Sequence, residues 1–118
     1  MEERRILNSL VVGSNPTIRI MSKQVFIEKL ALGETVKFRE KGNSMTPIIE
    51  SGSLLTFIPI TIEDLKVGDV CFCKVKGRLM THLVTAKNEK KGVQISNNHG
   101  FVNGWTKSVF GKCIKVEP

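Results

Sequence analysis

The chain has 118 residues, of which 41% are hydrophobic and 25% are charged. This length supports one domain with a single core and leaves no room for a second, and the apolar fraction argues against wholesale disorder. The net charge of +7 indicates affinity for polyanions or simply high solubility. No apolar run approaches the roughly 20 residues of a membrane-spanning helix. We therefore expect a cytoplasmic protein that has no membrane partner.

The basic residues are dispersed rather than gathered into one nucleic-acid site. Their densest group, residues 87–92, lies between two strand-like segments and is more simply explained as a solvated hairpin turn. Six phenylalanines and one tryptophan, with no tyrosine, make a poor platform for stacking single strands. A nucleic-acid partner is therefore weakly supported.

Three cysteines, Cys71, Cys73 and Cys113, cannot all pair with one another. Cys71 and Cys73 share one face of a strand, and no His or Cys stands at the spacing of a zinc finger. The pattern predicts buried free thiols in a reducing compartment, with no metal site and no cofactor.

Residues 1–20 differ in character from the rest of the chain. Residues 12–17 have neither helical nor strand periodicity, and their Gly-Ser-Asn-Pro is what a transfer-RNA T-arm would encode if translated. Transfer-RNA genes are common insertion sites of phages and mobile elements. We therefore predict that residues 1–20 are a non-native or disordered extension, that Met21 is the true start, and that residues 21–118 form a phage-related domain.

The first regular element is a predicted helix over residues 23–32. Ser22 is a suitable N-cap, and Phe26, Ile27 and Leu30 form one apolar stripe. Gly33 stands where a helix commonly ends.

The remaining pattern is that of short strands. Alternating or continuous apolar residues predict strands over residues 35–39, 54–60, 69–76, 79–87, 93–96 and 109–116. A loop is predicted over residues 97–105. Several of the strands are joined by turns that contain glycine, so we expect a mainly β chain. Its architecture is predicted to be a small, twisted, partly closed antiparallel fold with one N-terminal helix.

Residues 42–50 contain the candidate nucleophile, Ser44. Ser44 follows a flexible Gly-Asn, and the chain then turns through Met45 and Pro47 toward a strand. Such a turn can expose a hydroxyl beside clustered backbone N–H groups, as acyl transfer requires. The oxyanion donors would be the Ser44 N–H and the Asn43 side chain, with Met45 as scaffold. A plain turn remains the alternative.

His82 is the best candidate for the base that a serine nucleophile needs. It shares a strand face with Met80 and Val84, and apolar surroundings favour the neutral, proton-accepting imidazole. A core histidine bonded to a backbone carbonyl remains the alternative.

Three features follow one another along the chain: Gly-x-Ser-Met-x-Pro at residues 42–47, Gly-Asp-Val at residues 68–70, and a candidate base, His82, in a later strand. Over residues 35–118 this order resembles the LexA/type I signal peptidase group of serine peptidases. The resemblance implies that group's fold and a serine nucleophile with a lysine base. In the group's endoplasmic-reticulum and archaeal members a histidine replaces the lysine, and His82 falls at that position.

The chain departs from the group where an acid should orient the histidine. The Gly-Asp-Asn segment that supplies this acid corresponds here to Asn97 and Asn98, so a neutral amide would take its place. The resemblance implies a serine endopeptidase that acts on an extended peptide or protein substrate. A catalytically silent peptide- or protein-binding module and, with less support, a basic nucleic-acid accessory protein remain open. No DNA-binding domain or scissile linker is recognisable, so a self-cleaving repressor is not implied.

Overall fold

The computed structural model describes residues 16–118, with side chains from Lys23 onward. One helix precedes seven strands, and a 3-10 turn at Ile62–Asp64 separates the second strand from the third. The elements are α1 (Pro16–Ala31), β1 (Val36–Arg39), β2 (Leu54–Pro59), β3 (Val70–Val75), β4 (Arg78–Asn88), β5 (Gly92–Ser96), β6 (Val102–Thr106) and β7 (Val109–Glu117). The predicted mainly β class with one N-terminal helix is confirmed.

Helix α1 begins earlier than predicted. It starts at Pro16, which suits a first helical turn, so Ser22 lies inside the helix and the predicted N-cap is wrong. The predicted end is confirmed, because Glu34 N donates to Lys29 O and Gly33 N to Leu30 O, the paired bonds of a Schellman motif. Among residues 16–118, no helix is long and apolar enough to cross a membrane.

The predicted extension falls largely outside the described residues. Residues 1–15 are not described, and for them the prediction of a non-native or disordered segment stays a prediction. Residues 16–20 belong to α1.

The strands form one antiparallel sheet in the order β1-β2-β7-β3-β4-β5-β6. The sheet curls so that β6 approaches β3: Thr106 Oγ1 donates to Lys74 O at 2.6 Å, and Lys74 N donates to Ser108 O at 2.9 Å. Strand β3 lies at the centre between β7 and β4, while β1 and β6 are the two ends of the sheet. Partial closure of the sheet follows from this curl.

The six predicted strands are present, each to within one residue at either end. The predicted loop over residues 97–105 is wrong in its second half, because β6 occupies Val102–Thr106 and pairs with β5. This strand lacks the alternation that signals a half-buried strand, since Val102 is exposed and Gly104 has no side chain. Its pairing with β5, rather than its own hydrophobic pattern, makes it a strand.

Two apolar clusters lie on opposite faces of β3. The first holds Phe38, Phe57 and Phe72 under α1, with the Phe38 and Phe57 rings stacked at 4.6 Å between centroids. The second holds Cys71, Cys73, Val75, Val84, Val93 and Ile95 inside the curled half of the sheet. Alternate residues of one strand thus serve both clusters.

The three cysteines are free, with Cys71 and Cys73 fully buried and Cys113 partly buried. The neighbouring Cys73 thiol and burial raise the pKa of Cys71, and burial raises the pKa of Cys113. All three residues pack as small apolar side chains.

The buried phenylalanines should dominate stability. Phe57→Ala removes a side chain of 0% exposure and should lower the free energy of unfolding by about 3–5 kcal/mol. Phe101→Ala is the matched control, because Phe101 is 62% exposed and its loss should change the same quantity by less than about 0.5 kcal/mol. Urea unfolding followed by circular dichroism measures both, and equal losses would contradict the assigned core.

Candidate active site

The loop that carries Ser44 lies between β1 and β2 and is anchored from below. Met45 and Ile49 point into the first apolar cluster, and Ile49 N donates to Met45 O at 2.9 Å. Gly42 has a φ of +111°, a conformation that a residue with a side chain rarely adopts. Met45 therefore serves as scaffold, and the anchored loop leaves Ser44 half-buried at the surface.

The structure brings Ser44 and His82 together across 38 positions of sequence. Ser44 Oγ lies 2.9 Å from His82 Nε2, which is hydrogen-bonding distance. His82 lies on β4 opposite Cys71 of β3, so pairing with β3 holds its backbone on one side. A nucleophile and a base must be within this reach of each other for proton transfer.

The other ring nitrogen of His82 contacts a residue that the sequence analysis did not single out. His82 Nδ1 lies 2.7 Å from Asn103 Oδ1. Asn103 sits at a β-bulge, because Ile95 pairs with Gly104 and Ser96 with Val102, which leaves Asn103 without a partner in β5. Bulges can redirect a side chain toward a functional site.

The residue after the bulge supports this geometry. Gly104 has a φ of +142°, and a Cβ at this position would lie 3.2 Å from Val75 Cγ1. A side chain would therefore be strained and crowded there. The Asn-Gly pair within a strand was the available sequence signal, since a glycine inside a strand often marks a bulge.

The contact with Asn103 determines how the three groups share protons. An amide oxygen only accepts, so His82 Nδ1 carries the proton that it donates to Asn103. Nε2 then has a free lone pair and accepts the proton of the Ser44 hydroxyl. The chain of bonds runs from serine to histidine to asparagine, which is the order that an activated serine needs.

Asn97 and Asn98 do not perform the orienting role that was predicted for them. Asn97 Oδ1 accepts from the N–H groups of His99 and Phe101 and shapes a turn. Asn98 N donates to Ser44 O at 2.8 Å, and Asn98 Nδ2 donates to Thr46 O at 2.9 Å. The turn that contains Asn98 therefore holds the serine loop, while Asn103 contacts the imidazole.

His99 and Asn43 extend this contact between the two loops. His99 Nε2 donates to Asn43 O at 2.9 Å, and Thr46 N and Oγ1 donate to the same oxygen. Among residues 23–118, neither the Asn43 side chain nor the Ser44 N–H has a hydrogen-bond partner. Both remain available as the predicted oxyanion donors.

A cavity of about 180 Å³ opens beside Ser44 and His82. Met45, Ile49 and Leu55 form its apolar floor. Its polar lining includes Lys41, Thr81 and Glu40. Glu40 Oε1 accepts from Thr81 Oγ1 at 2.8 Å, and Glu40 Oε2 pairs with Lys23 Nζ at 2.8 Å.

Lys23 also lies 4.2 Å from the centroid of the Phe38 ring, a cation–π contact. This lysine links α1 to the cavity wall. The Lys23–Glu40–Thr81 network was not predicted, because its members are distant in sequence and none belongs to a motif.

Within residues 23–118, no three His, Cys, Asp or Glu side chains lie close enough together to hold a metal ion. A comparison with protein-family models finds no matching family, and a comparison with curated proteins finds no matching relative. The geometry of the described residues therefore carries the functional argument.

The contact with Asn103 predicts the tautomer of His82. In the wild type the neutral ring should carry its proton on Nδ1, and Asn103→Leu should abolish this selection because leucine accepts no hydrogen bond. Nitrogen-15 chemical shifts of the two histidine rings measure this, with His99→Gln used to assign the signals. A wild-type His82 ring protonated on Nε2, or a His82 signal unaffected by Asn103→Leu, would contradict the arrangement.

Proposed function

We propose that this domain is a serine endopeptidase of the LexA/signal-peptidase type, with Ser44 as nucleophile and His82 as general base. The observation that carries the proposal is the continuous chain Ser44 Oγ–His82 Nε2 and His82 Nδ1–Asn103 Oδ1, at 2.9 and 2.7 Å. A core histidine could satisfy its ring with any acceptor. A histidine that bridges an accessible serine and a second polar group has the arrangement of a base.

The proposed reaction is acyl transfer. Ser44 Oγ attacks the carbonyl carbon of the scissile peptide while its proton passes to His82 Nε2. The oxygen of the tetrahedral intermediate accepts hydrogen bonds from the Ser44 N–H, with the Asn43 side chain as a second donor. His82 then gives its proton to the leaving amine. In the second half of the reaction His82 takes a proton from the water that attacks the acyl-serine and returns it to Ser44 Oγ as the acid product leaves. Asn103 holds the ring throughout these steps.

A gap in the sheet supports an extended substrate. Strand β4 pairs with β3 from Arg78 to Leu83, but it pairs with β5 only from Leu83 to Asn88. The edge of β4 over residues 78–82 is therefore free of a strand partner among residues 16–118. This edge ends at His82 and borders the cavity, so a peptide that pairs with it would bring its backbone to Ser44.

The second side of the gap is the chain that leaves β1. Glu40 reaches Thr81 directly, so residues 40–44 lie opposite the free edge of β4. A substrate strand between these two edges would direct alternate side chains toward the cavity. The side chain that enters is expected to be uncharged, because Met45, Ile49 and Leu55 form the floor that it would contact.

A second candidate is a peptide-binding module that uses the same gap without turnover. The observation that favours it is the neutral Asn103 where serine peptidases commonly have a carboxylate. An amide orients the imidazole but stabilises the imidazolium less, so the attack step would have a higher barrier.

The setting of the proposed reaction is the cytoplasm. Its support is chemical: Cys71, Cys73 and Cys113 are free, and free thiols persist in a reducing compartment.

Ser44→Ala and His82→Ala should each abolish peptide cleavage. The double variant should lose no more activity than either single variant, because both residues act in one proton transfer. Cleavage of an extended-peptide library followed by mass spectrometry measures activity, and a fluorophosphonate probe reports acylation of Ser44. No cleavage by the wild type together with no labelling of Ser44 would reject the peptidase and leave the binding module.

Asn103→Asp should raise the rate of cleavage, because a carboxylate next to His82 Nδ1 stabilises the imidazolium that forms during attack. The pH profile should also move to higher pH, since the carboxylate favours the protonated ring and the base must be neutral. Asn98→Asp is the matched control, because its new carboxylate would face Thr46 O rather than the imidazole. Equal responses of the two variants would show that Asn103 does not act through His82.

A further inference from the structure

Strand β1 runs in the same direction as β4, because four antiparallel pairings separate them in the sheet. Counting three residues back from Glu40 and from Thr81, which are in contact, matches Lys37 with Arg78, so β1 continues the edge of the gap at residues 40–44.

The outer face of this edge has a pronounced charge pattern. Lys37 and Arg39 lie on β1, and Lys41 follows two residues later, all with exposed side chains. The intervening side chains Val36 and Phe38 point into the first apolar cluster. Residues 36–39 thus alternate between apolar side chains on the inner face and cationic side chains on the outer face.

The opposite edge adds a further cation. Arg78 is exposed and begins the unpaired segment of β4. Within residues 23–118, no carboxylate lies within ion-pair distance of Lys37, Lys41 or Arg78. Arg39 donates one N–H to Gly52 O at 2.7 Å and keeps its other donors for further contacts.

The carboxylates nearby do not neutralise this surface. Glu40 faces the cavity and is paired with Lys23, and the exposed Glu34 and Glu50 form no ion pair with described residues. Among residues 23–118, both edges of the gap therefore carry positive charge that no carboxylate compensates.

We infer that the preferred substrate is an extended peptide with acidic side chains at alternate positions and uncharged side chains between them. This inference rests on the proposed function, since it names the substrate class of the same site. A peptide strand in the gap would present every second side chain to the outer face, beside Lys37, Arg39 and Arg78. The remaining side chains would face inward, toward the cavity floor.

The spacing of the cations makes this requirement specific. Alternate residues of a strand are separated by about 6.5–7 Å on one face, so Lys37 and Arg39 match carboxylates two residues apart in a neighbouring strand. Opposite charges at such cross-strand positions stabilise pairing, while like charges weaken it. A shift of the acidic residues by one position would direct them toward the floor of Met45, Ile49 and Leu55, where a charge is costly.

The same pattern separates this inference from general attraction of anions. A net charge of +7 would favour every acidic peptide to a similar degree, whatever the order of its residues. A substrate strand with a cationic edge on each side places each of its residues at a fixed position. Peptides of identical composition but different residue order are therefore bound differently.

The test compares three fluorescent peptides built on one cleaved core sequence. The first has glutamates at alternate outward positions, the second has the same composition with the glutamates shifted by one position, and the third has lysines in place of the glutamates. We expect kcat/KM to be about tenfold higher for the first peptide than for either of the others. The preference should shrink as salt is raised from 50 to about 500 mM, because screening weakens exposed pairs.

Lys37→Glu/Arg78→Glu should reverse the preference toward the lysine peptide, and thermal unfolding checks that this variant folds. Lys90→Glu/Lys107→Glu is the matched control, because it makes the same change in net charge at exposed residues that lie outside the gap. The control should keep the wild-type preference.

Failure of the inference is distinguishable from failure of the proposed function. Cleavage at equal rates for the first two peptides would overturn the inference and keep the peptidase. If no peptide is cleaved, fluorescence anisotropy measures binding of the same peptides to the wild type. Tighter binding of the first peptide would support the inferred preference for a protein that binds without cleaving. Equal binding of the three peptides would overturn the inference. Single-stranded DNA that binds through Lys37 and Arg78 in place of all three peptides would also overturn it.

Discussion

The unequal length of neighbouring strands is the constraint on which this site depends. Strand β4 has 11 residues, whereas β3 has 6 and β5 has 5. Because β5 covers only the second half of β4, the first half keeps a free edge, and His82 lies where that free edge ends. The serine loop can reach His82 from one side and Asn103 from the other because no strand occupies this position.

The site is also a junction between the two apolar clusters. Ser44 comes from a loop anchored in the first cluster, and Asn103 precedes Gly104, which lies close to Val75 of the second. His82 lies on β4, which contributes Leu83 to the packing of the first cluster and Val84 to the second. Asn98, which follows β5, donates hydrogen bonds to the loop that carries Ser44. Packing in either half therefore affects the alignment of the three side chains.

The strands were predictable because alternation and glycine turns are local signals, and the exposed turn at Ser44 followed from its Gly-Asn and proline. His82 was a candidate because apolar surroundings favour a neutral imidazole and because it falls at the position of the base in the resembled group. Strand β6 and the role of Asn103 were not predictable in this way. A bulge exists only as a mismatch between two paired strands, so residues 102–106 do not specify it without β5. The start of α1 was predicted too late in the chain, because Ser22 is a suitable N-cap residue.

The bulge at Asn103 also bears on how activity could arise or disappear in evolution. Loss of one residue from β6 would restore regular pairing with β5 and turn the amide away from His82. The strand lies at the end of the sheet and is only partly buried, so such a deletion would leave both clusters almost intact. If the domain acts on peptides as proposed, a single in-frame codon would thus separate a form that cleaves a peptide from one that only binds it, with both apolar clusters retained.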